Sequence, residues 1–250
     1  MTVHTVGVDL AAEPARTALA VIEWSASSAR LTDVRVNVSD ADIVACAAGA
    51  ARVGIDSPFG WPDAFVDFVT AHHRGDPPAV SLQTREQRRP LTKRHTDLVV
   101  AKRTGLMPLS VSADLIGHVA LRCAGLLEQL AVTNRADGWA VEVYPVAGLK
   151  LWGLPFRGKS TAVGLTGMVA ALREAAPWLD LGSFVELVTE QHDAFDAVIA
   201  ALLARAVECG ATYGPEPDEL AVARREGWVH VPSGSLAALV GHAGPTAPIS

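Results

Sequence analysis

Residues 5–38 read TVGVDLAAEPARTALAVIEWSASSARLTDVRVNV, and the pattern of this stretch sets the fold. Apolar runs at 5–9, 17–24 and 31–38 follow one another at turn-like spacing. In the last, Leu31, Asp33, Arg35 and Asn37 alternate with Thr32, Val34, Val36 and Val38, the period-two signature of a half-buried strand. Three strands so close together predict an antiparallel meander. Ser39 then reads as a helix N-cap with Asp42 three residues on, a near capping box, opening a small-residue helix over 40–49. Residues 52–56, RVGID, form a fourth strand, broken by Ser57-Pro58. A helical crossover between Val38 and Val53 sets that strand parallel to an earlier one.

Further along, residues 63–73 predict a short helix. Residues 74–112 are polar, basic and interrupted by proline. They form the least regular stretch, of the kind that is functional or disordered inside a compact domain. A long amphipathic helix is expected over 113–133, with Leu115, Val119, Cys123, Leu126 and Leu130 at helical spacing. Residues 138–144, GWAVEVY, read as a fifth strand ended by Pro145. Residues 162–175 have a helical pattern. Residues 193–209, DAFDAVIAALLARAVEC, are alanine-rich and nearly all apolar, hence a largely buried helix. Residues 227–232 close the pattern as a strand or turn, and 241–250 are a Gly/Pro/Ala tail expected to fray. The expectation is one α/β domain over 1–240. It has a mixed five-stranded sheet, helices on both faces, and an insertion at about 60–112.

Composition agrees. Half of the 250 residues are apolar while aromatics make up only 6%, so alanine does much of the apolar work and a sizeable core is possible. Disordered, collagen-like and disulfide-scaffold classes are excluded. There is no run of eighteen apolar residues and no export-signal pattern at the N-terminus. Cys46, Cys123 and Cys209 are odd in number, and none lies in a C-x-x-C. These features predict free thiols in a reducing cytoplasm and no membrane partner. Net charge is −6, unevenly spread: residues 74–103 carry +5 and the remainder −11. Such a basic stripe either meets phosphates or is a solvated loop.

Three acids stand at or near predicted strand ends: Asp9, Asp56 and Glu142. In open α/β sheets those ends face the ligand crevice. Asp193 and Asp196, three apart on the buried helix, can face a common neighbour. Helix-dipole stabilisation suits Asp193, whereas Asp196 lies one turn in, beyond capping. Taken singly, each acid is also explained as a turn residue or ion-pair partner, and Glu142 points either to the crevice or to solvent. Converging carboxylates raise each other's pKa values, and a hard divalent cation relieves them. Paired ions about 4 Å apart can stabilise the attacking and leaving oxygens of a phosphodiester.

GVDLA at 7–11, GIDSPFGWP at 54–62, RHTD at 94–97, EVYP at 142–145, HDAFDAVIAALLARA at 192–206 and GWVHVP at 227–232 occur in this order. Together they resemble the domain-of-unknown-function family 429, described as predicted nucleases with an RNase H-like fold. The resemblance covers about residues 3–232. The first-strand aspartate and the aspartate pair on the last helix are also similar to those of Holliday-junction resolvases. The resemblance implies metal-binding carboxylates at Asp9, Asp56, Asp193 and Asp196, with Glu142 a further site acid. It matches Arg94, Thr96 and Asp97 to the family's R-x-T-D element.

Residues 153–160, GLPFRGKS, match G-x-x-x-x-G-K-[ST]. A phosphate loop needs a buried strand leading into Gly153, and residues 146–152 make no convincing one. Pro155 also lacks an N–H to donate. Arg157 and Lys159 are therefore read as basic residues near the acidic site, on a loop before the 162–175 helix. The histidines lack zinc-ligand spacing.

The leading expectation is Mg²⁺- or Mn²⁺-dependent, two-metal hydrolysis of a nucleic acid, DNA or RNA. In it Arg94, Thr96, Asp97, Arg157 and Lys159 contact substrate. Two alternatives remain open: an ATP-dependent small-molecule phosphotransferase of the related actin-like fold, and a non-catalytic nucleic-acid-binding protein.

Overall fold

The computed structural model describes residues 3–76 and 80–241. β1 (Val3–Asp9), β2 (Ala18–Trp24) and β3 (Ala29–Val36) form the antiparallel meander. Ser39 and Asp42 close a reciprocal capping box on α1 (Asp40–Ala47), and β4 (Arg52–Asp56) returns parallel to β1. There follow α2 (Asp63–His73), α3 (Arg85–Thr92), α4 (His95–Thr104) and α5 (Gly117–Gln129). β5 (Ala140–Val143) lies parallel to β4. The chain continues through α6 (Pro145–Leu151), α7 (Ala162–Ala175), β6 (Leu179–Asp180), α8 (Val185–Glu190) and α9 (His192–Glu208). It then forms β7 (Thr212–Tyr213), α10 (Leu220–Glu226) and β8 (Val229–Pro232).

The sheet has eight strands in the order β6-β3-β2-β1-β4-β5-β8-β7, not five. Of the three additional strands, β8 lies in the 227–232 segment read as a strand or turn, while β6 and β7 have two residues each, too few to show alternation. The segment 74–112 is also more regular than expected. α3 is opened by a Thr84–Gln87 capping box, and no residue of the helix is buried. With nothing buried on α3 there is no apolar stripe to read. The helix expected over 113–133 begins only at Gly117, because the Asp114 carboxylate accepts from Ser110 N–H and closes a turn ahead of it. Leu115 is 98% exposed and is not a core position. The expected tail falls, after Gly241, outside the described residues. Among the described residues no helix is long and apolar enough to cross a membrane.

Helices cover both faces. On one, α9 lies under the strands, with Val198, Ile199, Leu202 and Leu203 fully buried. On the other, Ile43 of α1 and Cys123, Leu126 and Leu127 of α5 pack on Val6, Val8, Val53 and Ile55. The α9 approach is unusually close. A Cβ added to Gly7 would lie 2.1 Å from Ala197 O, and one on Gly54 2.5 Å from Ala200 O. Small residues on both sides let the helix backbone rest almost on the strands, and Thr5 Oγ1 donates to Ala201 O at 3.0 Å.

Candidate acidic cleft

β1 and β4 run in parallel register, so Asp9 and Asp56 are direct partners at the strand ends. Side chains alternate along a strand, so these acids share the face of Gly7 and Gly54, two residues upstream. That is the face α9 covers. Asp196 precedes the glycine-contacting Ala197 and is carried up to the same place, only 2% exposed. The loop beyond Asp9 is fixed by Arg122 of α5, which donates to Ala11 O (2.8 Å), Thr17 Oγ1 (2.6 Å) and Asp40 Oδ1 (2.9 Å).

The three acids feel one another. Burial, then Asp56 and Asp196, push the Asp9 carboxyl well above the usual carboxylate range. Burial and Asp196 push Asp56 up to about 8, despite the opposing pull of Lys159. Burial likewise raises Asp196. Lys159 Nζ donates to Asp196 Oδ2. Asp196 Oδ1 is buried without a hydrogen-bond partner. Burial works against the Lys159 charge, but Asp196, Asp56 and Asp9 outweigh it and hold the ammonium above its ordinary pKa. Asp193 lies at the edge of the cluster, 3.3 Å from Arg16 Nε and 2.7 Å from His192 Nδ1.

Glu142 stands at the same strand ends, and its charge also raises the Asp56 carboxyl pKa, but it comes from the other side of the sheet. Its register partner is Ile55, not Asp56, so it points to the opposite sheet face. There Oε2 accepts from Phe59 N–H (2.9 Å) and Arg94 Nη1 (2.8 Å), and Oε1 from Arg94 Nη2 (2.7 Å). Arg94 also donates to both Asp97 oxygens and to Glu226 O. All five guanidinium N–H groups are thereby engaged, leaving none for a phosphate. Thr96 Oγ1 accepts from Val229 N–H at 2.8 Å. The R-x-T-D element thus ties α4 to β5 and β8.

A cleft of about 260 Å³ opens at the strand ends. Asp9, Asp56, Arg94 and Glu142 line it, with apolar walls that include Ile116 and Tyr144. Tyr144 was not singled out from sequence; its position directly after Val143, at the end of a predicted strand, is the signal that marks it. Burial and Asp56 raise its hydroxyl pKa. The 153–160 motif links α6 to α7 with no strand before it. Within it Lys159 reaches the acids, whereas the exposed Arg157 lies over the Phe156 ring. In the basic stripe Arg88 donates to Leu82 O and Gln83 O, Lys93 to Pro108 O, and Arg103 stacks on Tyr213. Arg74, Arg85, Arg89 and Lys102 are exposed. Among the described residues, no three His, Cys, Asp or Glu side chains already stand as a ready-made metal cage.

Fold and cleft define an α/β protein with coupled acids at the carboxyl ends of its central parallel strands. The chain belongs to the family described as "Protein of unknown function (DUF429)", whose model matches residues 7–220. No curated protein and no solved structure matches the chain.

Proposed function

We propose that the chain is a divalent-cation-dependent phosphodiesterase acting on nucleic acid, built on an RNase H-like core. The observation that carries this reading is the meeting of Asp9, Asp56 and Asp196 from three separate elements at the strand ends. The core order β3-β2-β1-β4-β5, with helices on both faces, agrees with the RNase H-like resemblance. The donor set suits Mg²⁺ or Mn²⁺, since carboxylate oxygens are the preferred ligands of hard cations. The unpartnered Asp196 Oδ1, and the burial and mutual repulsion that raise the Asp9 and Asp56 carboxyl pKa values, favour a positive charge at this place. Asp9, Asp56 and Asp196 would hold the ion, with Asp193 at the rim.

When bound there, a divalent cation would supply Lewis acidity toward a water and a phosphate. The chain's own residues orient and enclose. Tyr144 and Ile116 restrict the approach, and Arg94 braces Glu142, which in turn accepts from Phe59 N–H. The exposed Arg85, Arg89 and Lys102 favour a polyanion as substrate. The test is incubation with single- and double-stranded DNA and RNA in Mg²⁺ and in Mn²⁺. Cleavage is expected to vanish with chelator and with Asp56→Asn. Absence of cleavage together with absence of Mn²⁺ binding by calorimetry would overturn the reading.

A further inference from the structure

The body of the cleft lies on the α5 side of the sheet, away from α9. Ile116 and Val119, at the start of α5, line it together with Glu142, which reaches the strand ends from that face; Asp196 and Lys159 do not. Asp9 and Asp56 stand at the strand ends between the two sides. Pro58, Pro108 and Leu109 add to the apolar wall. A concave site of about 260 Å³ with mostly apolar walls and a few convergent polar groups suits a small organic group.

Two observations say which kind. The first is Ser57, which follows Asp56. It is 4% exposed and lines the cleft, and its Oγ has no hydrogen-bond partner of ordinary length among the described residues. The Cys123 thiol of α5 is near enough to feel it, but a thiol is a weak partner. A buried hydroxyl left in this way is costly, and a ligand with a ring nitrogen or an N–H at that place would satisfy it. The second is charge. Among the described residues that line the cleft Arg94 is the one cation, and its N–H groups are taken by Glu142, Asp97 and Glu226 O. The cleft therefore offers a phosphate no free cation, and its carboxylates repel one while accepting readily from N–H groups. The part of a nucleotide that suits it is the uncharged base. A base inside a duplex reaches such a cleft only by leaving its stack, whereas in a single strand it is already free to turn in.

We propose that the cleft is a nucleobase pocket: one unstacked base of a single strand enters on the α5 side, lies against Pro58, Ile116 and Val119, and hydrogen-bonds Ser57 Oγ, while its phosphates stay outside at the rim. This rests on the nucleic-acid reading above and names its substrate as single-stranded. Nuclear magnetic resonance titration of the full isotope-labelled chain, in chelator, with adenosine, cytidine and ribose 5-phosphate tests it without any metal. The two nucleosides are expected to bind and ribose 5-phosphate is not. Ser57→Ala should weaken nucleoside binding about five-fold, the loss of one hydrogen bond, and Ile116→Trp, which fills the cleft, should abolish it. A short single-stranded oligonucleotide should compete with the nucleoside, and the same sequence as a duplex should not. No nucleoside binding, ribose 5-phosphate binding as tightly, equal competition by the duplex, or unchanged affinity in both variants overturns the inference. If Ile116→Trp does not fold, Ser57→Ala decides alone. Nucleoside binding without cleavage in Mg²⁺ or Mn²⁺ leaves the pocket standing and sinks the phosphodiesterase; cleavage without nucleoside binding does the reverse.

Discussion

Asp56 is the residue at which folding and chemistry oppose each other most clearly. Its carboxyl is pushed up to about 8 by burial and by Asp196, whereas an unfolded aspartate titrates near ~3.9. Between those values the folded state keeps a proton that the unfolded state releases, so metal-free stability falls as pH rises from about 4 to about 8. The melting temperature of chelator-treated protein should decline across pH 5–8. Asp56→Asn, which cannot ionise, should flatten that decline. A wild type whose melting point rises over this range would show that Asp56 is already ionised and balanced. Asp9 shifts in the same direction and adds to the slope. The acids of the cleft are therefore a burden on the fold, the pattern expected of groups kept for function rather than stability.

At the scale of elements, the site exists because α9 approaches β1 and β4 so closely. Gly7 and Gly54 face Ala197, Ala200 and Ala201 across this contact, and one residue before it stands Asp196. Gly7→Ala places a methyl 2.1 Å from two α9 backbone atoms, which no side-chain rotation relieves. We expect a loss of roughly 1–3 kcal/mol or more in denaturant unfolding, together with weakened Mn²⁺ binding as Asp196 is lifted away. Gly49→Ala is the control, because its Cβ would meet nothing within 4 Å. A left-handed φ there still adds mild strain. Equal effects at the two positions would show that the close approach is not what holds the acids together.

Over the whole molecule, a second buried charge network joins the helices of the 60–112 region to the sheet. Arg94 pairs with Glu142 of β5 and Asp97 of α4. Beside it the Glu226 carboxylate accepts from Asp63 N–H and His95 N–H, both at 2.7 Å, at the starts of α2 and α4. Replacing Arg94 by methionine leaves two buried carboxylates without their cation, and such losses cost about 3–5 kcal/mol. Arg94→Met should therefore lower the unfolding free energy strongly. A residue that merely contacted substrate phosphate would instead weaken binding and leave stability unchanged, and that outcome would restore the sequence-based expectation for the R-x-T-D element.

Much of this architecture was legible before any coordinates. Alternation over 31–38, the Ser39–Asp42 cap and the alanine-rich run at 193–209 each encode one element locally, because burial periodicity and capping act within a few residues. The acids at the ends of β1 and β4 could be named for the same reason. Tertiary structure alone decided which of them meet. Asp9 and Asp56 lie side by side while Glu142 reaches the strand ends from the opposite sheet face, since one residue of register sends a side chain to the other face. Lys159 finds Asp196, and Arg94 finds Glu142, across sequence separations that no local pattern spans. The sequence thus determined the elements and their charges; the packing of α9 on two glycines, and the pairing of the strands, determined which charges share a site.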